Sequence, residues 1–109
     1  MQYLKAINLF HIFIVAYLLY YISVQKSAAH PVFYQLLGAL GAFVIVYHAF
    51  RMRMRGFNYI NLFHMLVVGP LFLYIGMNNG LVAPEFYNLA FYLAIGVVAY
   101  HGSRFLGYL

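Results

Sequence analysis

The sequence predicts an all-α membrane protein: four transmembrane helices in an up-down-up-down bundle, built from two tandem two-helix repeats related by a pseudo-two-fold axis along the membrane normal. Three observations predict this fold: the composition, four apolar stretches of spanning length, and a self-similarity at one fixed offset. Of the 109 residues, 67% are apolar and 6% are charged, against about 45–50% and about 25% in soluble domains. We therefore expect the chain to fold in a lipid bilayer.

Four apolar stretches each have about 20 residues, the length that a helix needs to cross the hydrocarbon core. They extend approximately from Leu4 to Val24, from Pro31 to Phe50, from Tyr59 to Met77 and from Pro84 to Phe105. The polar segments between them are short, and short loops join antiparallel neighbours in helical bundles. The expected arrangement is therefore a four-helix bundle.

The charged residues predict the orientation of these helices. Five basic residues fall on the side that carries both termini and the central loop, and only Lys26 falls on the other side. The five are Lys5, Arg51, Arg53, Arg55 and Arg104. Basic residues concentrate on the cytoplasmic side of membrane proteins, so we expect both termini in the cytoplasm or an equivalent compartment. This clustered charge indicates membrane orientation, and no nucleic acid partner is expected.

A shift of 53 positions aligns residues 7–56 with residues 60–109 without a gap, and 18 of the 50 pairs are identical. Shared apolar composition would not align rare residues, yet the identities include Asn, His, Pro and Arg. We therefore divide the chain into two copies of one transmembrane hairpin, residues 1–56 and 57–109. Positions that both copies keep are expected to face the bundle interior.

Four histidines stand at matching positions of the two copies, and helix geometry predicts that they share one layer in the cytoplasmic half of the membrane. They are His11, His48, His64 and His101. We take these four as the candidate cofactor-binding residues. Asn8 and Asn61 should lie one turn away, and Arg51 and Arg104 one turn outward, which completes a polar cluster. Polar side chains are costly in hydrocarbon and usually find partners inside the protein.

The histidine cluster has three interpretations. The first is hydrogen bonding between helices, in which imidazole, Asn and Tyr groups hold the bundle together. The second is a haem or transition-metal site, since neutral imidazole is a common ligand; the sequence leaves the cofactor open. The third is a path for protons or small ions, against which the almost wholly apolar far halves of the helices argue. Without carboxylates nearby, backbone carbonyls, Asn or Tyr would have to orient ligating rings.

These interpretations define the functional expectation: a small non-enzymatic structural or assembly subunit of a membrane complex or envelope. The alternatives are a haem- or metal-binding electron carrier and an ion conductor. In its histidines alone, the chain resembles the cytochrome b type of membrane anchor, which would imply a haem held by two histidines. A single acid, Glu85, excludes paired-carboxylate catalysis, the lack of cysteine excludes thiolate chemistry, and no familiar catalytic motif is present. Other membrane subunits or further copies of the chain are the expected protein partners.

Three further positions carry local expectations. Pro70 should open the third helix near Leu66, which its counterpart Tyr17 cannot do in the first helix. Gly38 and Ala42, four residues apart, are candidates for close helix contact. His30 has Ala83 as its counterpart and is interpreted as a loop residue without a shared role.

Overall fold

Four helices that are long and apolar enough to cross a membrane make up most of this protein, whose computed structural model describes residues 2–108. The candidate spans are Lys5–Ala28, Pro31–Arg55, Tyr59–Met77 and Pro84–Leu106. No strand occurs within residues 2–108. The prediction of an all-helical protein with four candidate transmembrane helices is thus confirmed. Met1 and Leu109, the outer ends of the two predicted copies, lie outside the described residues.

Side chains in the preceding loops fix where the second and third helices begin. The Nδ1 atom of His30 accepts a hydrogen bond from the Val32 amide at 3.1 Å, so this histidine caps the second helix. Asn58 caps the third helix, because its Oδ1 accepts from the amides of Ile60 and Asn61 at 2.9 and 3.1 Å. Such caps satisfy amides that a helix start leaves unpaired. His30 therefore has a definite structural role, which its description as a plain loop residue missed.

The second helix continues through the arginine run that the sequence interpretation assigned to a connecting segment. It ends only at Arg55, and the next residue, Gly56, has a φ of 89° in the left-handed region. Arg and Met favour helix, and Arg53 and Arg55 occupy the last turn, where basic side chains interact favourably with the helix dipole. The apolar stretch that ends at Phe50 is thus shorter than the helix that contains it.

The first and third helices each contain one wider, π-helical stretch, and the two stretches lie at matching positions. In the first helix, His11–Val15 separates the α-helical segments Gln2–Phe10 and Ala16–Gln25. In the third helix, His64–Val68 separates Tyr59–Phe63 from Gly69–Met77.

The widening does not depend on proline. In each helix, the amide that follows the π-helical stretch donates to the histidine carbonyl five residues back: Ala16 to His11, and Gly69 to His64. Pro70 follows the stretch only in the third helix, and Tyr17 stands in its place in the first. The expectation that proline opens one helix alone was therefore wrong.

The helices form two compact units. One unit comprises the first and fourth helices, within residues 1–29 and 83–109; the other comprises the second and third helices, within residues 30–82. We call them the 1–4 unit and the 2–3 unit. This grouping differs from the tandem copies of the sequence, whose boundary after residue 56 falls inside the 2–3 unit. The two copies remain a prediction about the sequence.

Glycines bring the two helices of the 2–3 unit into backbone contact. A Cβ atom on Gly76 would collide with the backbone of Gly38, and one on Gly41 would lie 2.6 Å from the Leu73 amide nitrogen. Ala42, predicted as the second contact position, is exposed, and Gly41 takes that place. The prediction of small-residue packing was therefore correct for Gly38 and one residue off for its companion.

Buried positions of the two units match at the same offset of 53 residues. The matching buried pairs are Asn8 and Asn61, Val15 and Val68, Ala16 and Gly69, Leu19 and Phe72, Ile22 and Ile75, Ser23 and Gly76, Tyr34 and Tyr87, Leu37 and Ala90, and Gly41 and Ala94. The shared identities do not all point inward, however. Leu36 and Leu89 are kept in both copies, and about half of each side chain is exposed (53% and 51%).

Candidate functional site

In the 1–4 unit, a buried hydrogen bond joins the two helices. The Nδ1 atom of His101 donates to Oδ1 of Asn8 at 2.8 Å, and both residues are buried. Asn8 lies on the first helix and His101 on the fourth, so this bond pairs two polar groups that are costly to leave unsatisfied in an apolar environment.

A second histidine lies against the first. The rings of His11 and His101 stack with centroids 4.0 Å apart and an interplanar angle of 14°. The Nδ1 atom of His11 donates to the carbonyl of Ile7 at 2.8 Å, four residues back on the same helix. His11 also begins the π-helical stretch, so local backbone geometry and this bond together determine the position of its ring.

The 2–3 unit contains the same arrangement built from the matching residues. The Nδ1 atom of His48 donates to Oδ1 of Asn61 at 2.7 Å, and that of His64 donates to the Ile60 carbonyl at 2.7 Å. The rings of His48 and His64 stack at 4.3 Å with an interplanar angle of 22°. In each unit, two stacked histidines and one hydrogen-bonded asparagine form a cluster. We call it a paired-histidine cluster.

These bonds determine which nitrogen carries the proton in a neutral ring. Carbonyl and amide oxygens only accept, so every Nδ1 must carry hydrogen, and every Nε2 then bears the lone pair. Metal-binding histidines commonly have this form, with one nitrogen fixed by a hydrogen bond to oxygen and the other facing the metal. The orienting groups are backbone carbonyls and Asn, as the sequence interpretation required of a ligand site.

The stacking restricts what one pair can bind. In face-to-face rings, the nitrogen lone pairs lie in two parallel planes and do not converge on one point about 2 Å from both nitrogens, which a metal requires. The two axial histidines of a haem approach the iron from opposite faces, which is equally unlike a stack. As placed, the two rings of one pair therefore do not form the axial ligand pair of a haem; the ligand atoms of His11 and His101 nevertheless lie within 4.8 Å of each other, so the pair is not excluded from a metal site.

The two arginines of the predicted polar cluster contact tyrosines on their own helices. Nη1 of Arg51 donates to the Tyr47 hydroxyl, and Nη1 of Arg104 to the Tyr100 hydroxyl, both at 3.3 Å. Each guanidinium carbon also lies 5.9 Å from the same tyrosine ring centre. Nε of Arg51 is buried without a hydrogen-bond partner, whereas Arg104 is exposed.

The contacts of these residues differ in two respects from the polar cluster that the sequence predicts. Asn8 and Asn61 join the histidines, as expected, while the arginines form separate pairs with tyrosine. The signal for these pairs was present, because Tyr and Arg four residues apart on a helix lie side by side, and both copies keep them. Nothing in the sequence indicated the ring stacking. The assignment of the four histidines to a cofactor remains a prediction.

Fold and clusters together define a class: an all-helical protein with four candidate membrane spans and a paired-histidine cluster in each compact unit. No family model, curated protein or solved structure matches the chain. The function therefore has to be inferred from the contacts within each unit.

Proposed function

We propose that this protein is a non-enzymatic integral membrane protein that serves as a structural or assembly subunit of a membrane complex or envelope. The single observation that carries this proposal is the internal pairing of the histidines. In each unit, one histidine bonds to an asparagine of the neighbouring helix and stacks on the other histidine. Hydrogen bonds of this kind hold membrane helices together, at about 0.6 to 2 kcal/mol each.

The proposal includes the duplication of a two-helix repeat, with a pseudo-two-fold relation along the membrane normal. Matching residues have matching partners: Asn8 and Asn61 each accept from a histidine, and the π-helical stretches begin at His11 and His64. Independent packing of unrelated segments would not be expected to repeat such details. An experimental structure in which residues 7–56 and 60–109 superpose only after a register shift would contradict the duplication.

We also propose that both termini and the central loop face the cytoplasm or its equivalent, from the five-to-one distribution of basic residues. The chain has no cysteine, so single cysteines can report on each side. With Phe57→Cys in the central loop and Ala28→Cys at the far end of the first candidate span, a membrane-impermeant thiol reagent should label the first variant from the cytoplasmic side and the second from the opposite side. Labelling of both from one side would contradict the orientation.

Metal analysis and an absorption spectrum of detergent-purified protein test the structural proposal directly. Purification through a tag without histidine avoids adventitious metal. We expect less than one metal ion per chain and no visible absorption band, and we expect a His101→Phe variant to be less stable but otherwise unchanged. His30→Ala is the matched control for metal content and absorption, because it removes a histidine outside both clusters; it is not a control for stability, because it also removes a helix cap.

A haem- or metal-binding electron carrier is the second candidate, and the shared proton position on Nδ1 favours it, because it leaves Nε2 as the lone-pair atom of all four histidines. A stoichiometric haem or metal that is lost in His101→Phe and kept in His30→Ala would establish this function. The same result would overturn the structural proposal.

A further inference from the structure

A groove with a volume of about 580 Å³ opens between the two helices of the 1–4 unit, apart from the histidine pair. Its floor includes the buried Ala16 and Ala94, and its walls include the exposed aromatic rings of Tyr17, Tyr20 and Phe91. From Ile12 to Tyr20, the groove follows the helix for about 12 Å. A cleft of this shape in a candidate membrane span fits a linear hydrocarbon chain.

Toward one end of the unit, Gly102 leaves open space on the helix face that continues from the groove. A Cβ atom on Gly102 would meet no atom within 4 Å. On a helix, Gly102 follows Val98 by four residues and precedes Phe105 by three, so all three share a face. Val98 lines the groove, and Phe105 therefore marks the outer end of this face.

Positive charge lies at this outer end. The Nζ atom of Lys5 is 5.8 Å from the centre of the Phe105 ring, and Lys5 precedes the groove residue Ile12 by seven positions, which places both on one helix face. Arg104 lies away from the groove face of the fourth helix, where its guanidinium contacts Tyr100. The chain's single acid, Glu85, lies in the first turn of the same helix, at its other end. An anionic group at this rim would thus meet Lys5 and no acidic side chain of the fourth helix.

We infer that the 1–4 unit binds one anionic phospholipid, with its headgroup at Lys5 and one acyl chain in the groove. This goes beyond the structural role proposed above and uses none of the histidines. The arrangement combines charge at the level of the headgroups with an apolar channel beneath it. Each basic residue near an anionic headgroup strengthens its binding about five-fold.

Spin-labelled lipids in phosphatidylcholine vesicles test the site. With the full-length protein, we expect a larger immobilised fraction for chain-labelled phosphatidylglycerol than for chain-labelled phosphatidylcholine. The difference should correspond to at least five-fold stronger binding of phosphatidylglycerol. Lys5→Asn introduces the residue type of the matching position in the 2–3 unit, Asn58, and should lower this preference about five-fold. Lys26→Asn removes a cation at the far end of the first helix and should leave the preference unchanged. Raising the salt concentration should weaken the preference, because salt screens exposed charges.

A second pair of variants tests the groove without changing charge. Gly102→Leu fills the open space between Lys5 and the groove and should reduce immobilisation of both lipids at least three-fold. Gly96→Leu is the matched control, since its added Cβ also meets no atom within 4 Å and Gly96 does not line the groove. The inference is overturned if the wild type shows no preference, or if the two leucine variants behave alike. It is equally overturned if cross-linking through Tyr17→Cys shows that a second copy of the chain fills the groove.

Discussion

The two compact units carry the same paired-histidine cluster on helices that pack differently. In the 2–3 unit, Gly76 contacts the backbone of Gly38 directly. The matching positions of the 1–4 unit hold Ser23 and Phe91, and there a groove lies beside the helix contact. Direct backbone contact is thus seen where both matching positions hold glycine, as expected where van der Waals contact drives association.

The geometry of the cluster does not change with this difference in helix packing. The histidine rings stack at 4.0 Å in the 1–4 unit and at 4.3 Å in the glycine-packed 2–3 unit. In both units, the ring position depends on a π-helical turn, a bond to the carbonyl four residues back, and one asparagine. The comparison shows that these local contacts determine the geometry of the cluster in both units. Glycine residues elsewhere allow the backbone contact between the helices of the 2–3 unit.

The largest expected difference between the units arises at the glycine contact. Gly76→Ala places a methyl group against the Gly38 backbone, which cannot move aside as a side chain could. We expect the free energy of unfolding, measured in mixed micelles with a denaturing detergent, to fall by about 3 kcal/mol. Ser23→Ala at the matching position removes only a 2.7 Å bond to the Tyr20 carbonyl and should cost about 1 kcal/mol or less. Equal losses would show that the units pack alike.

Removal of the asparagine should destabilise the two units equally, and less than Gly76→Ala destabilises the 2–3 unit. Asn8→Ala and Asn61→Ala each remove the acceptor of a histidine Nδ1–H, and we expect each to lower the free energy of unfolding by about 1 to 2 kcal/mol. Asn88→Ala, at an exposed position of the fourth helix, is the control and should change little. A double-mutant cycle of Asn61→Ala with His48→Phe isolates the coupling of the bonded pair. If only one unit loses stability, the two clusters do not serve one purpose.

The four helices could be predicted from the sequence, because lipid allows only helices or closed barrels, and continuous apolar stretches of about 20 residues fit helices. The polar cluster could be predicted as well, since His and Asn inside a span need partners. The helix pairing could not: Asn8 bonds to His101, 93 positions along the chain, and spacing within one helix says nothing about which other helix supplies a partner.

The details that sequence reasoning missed are local exceptions to regular patterns. In a regular helix, Ala42 lies on the same face as Gly38, but the residue that contacts the third helix is Gly41. A hydropathy boundary ended the second span at Phe50, although arginines continue the helix to Arg55. The π-helical turns have no established sequence signal, and the one proline near them suggested a difference between the helices that the structure does not show.

The smallest expected effect tests whether the two π-helical turns are equivalent. Pro70 follows the turn of the third helix, where a residue without an amide hydrogen is accommodated. If the first helix has the same geometry, Tyr17→Pro should cost less than about 1 kcal/mol of unfolding free energy, because Tyr17 occupies the matching place and is exposed. Leu18→Pro, one residue later, should cost about 3 kcal/mol, as proline does inside a regular helix. Pro70→Tyr completes the exchange and should be close to neutral. If Tyr17→Pro is as damaging as Leu18→Pro, the turns differ in their hydrogen bonding, and the match between the units ends at the histidines.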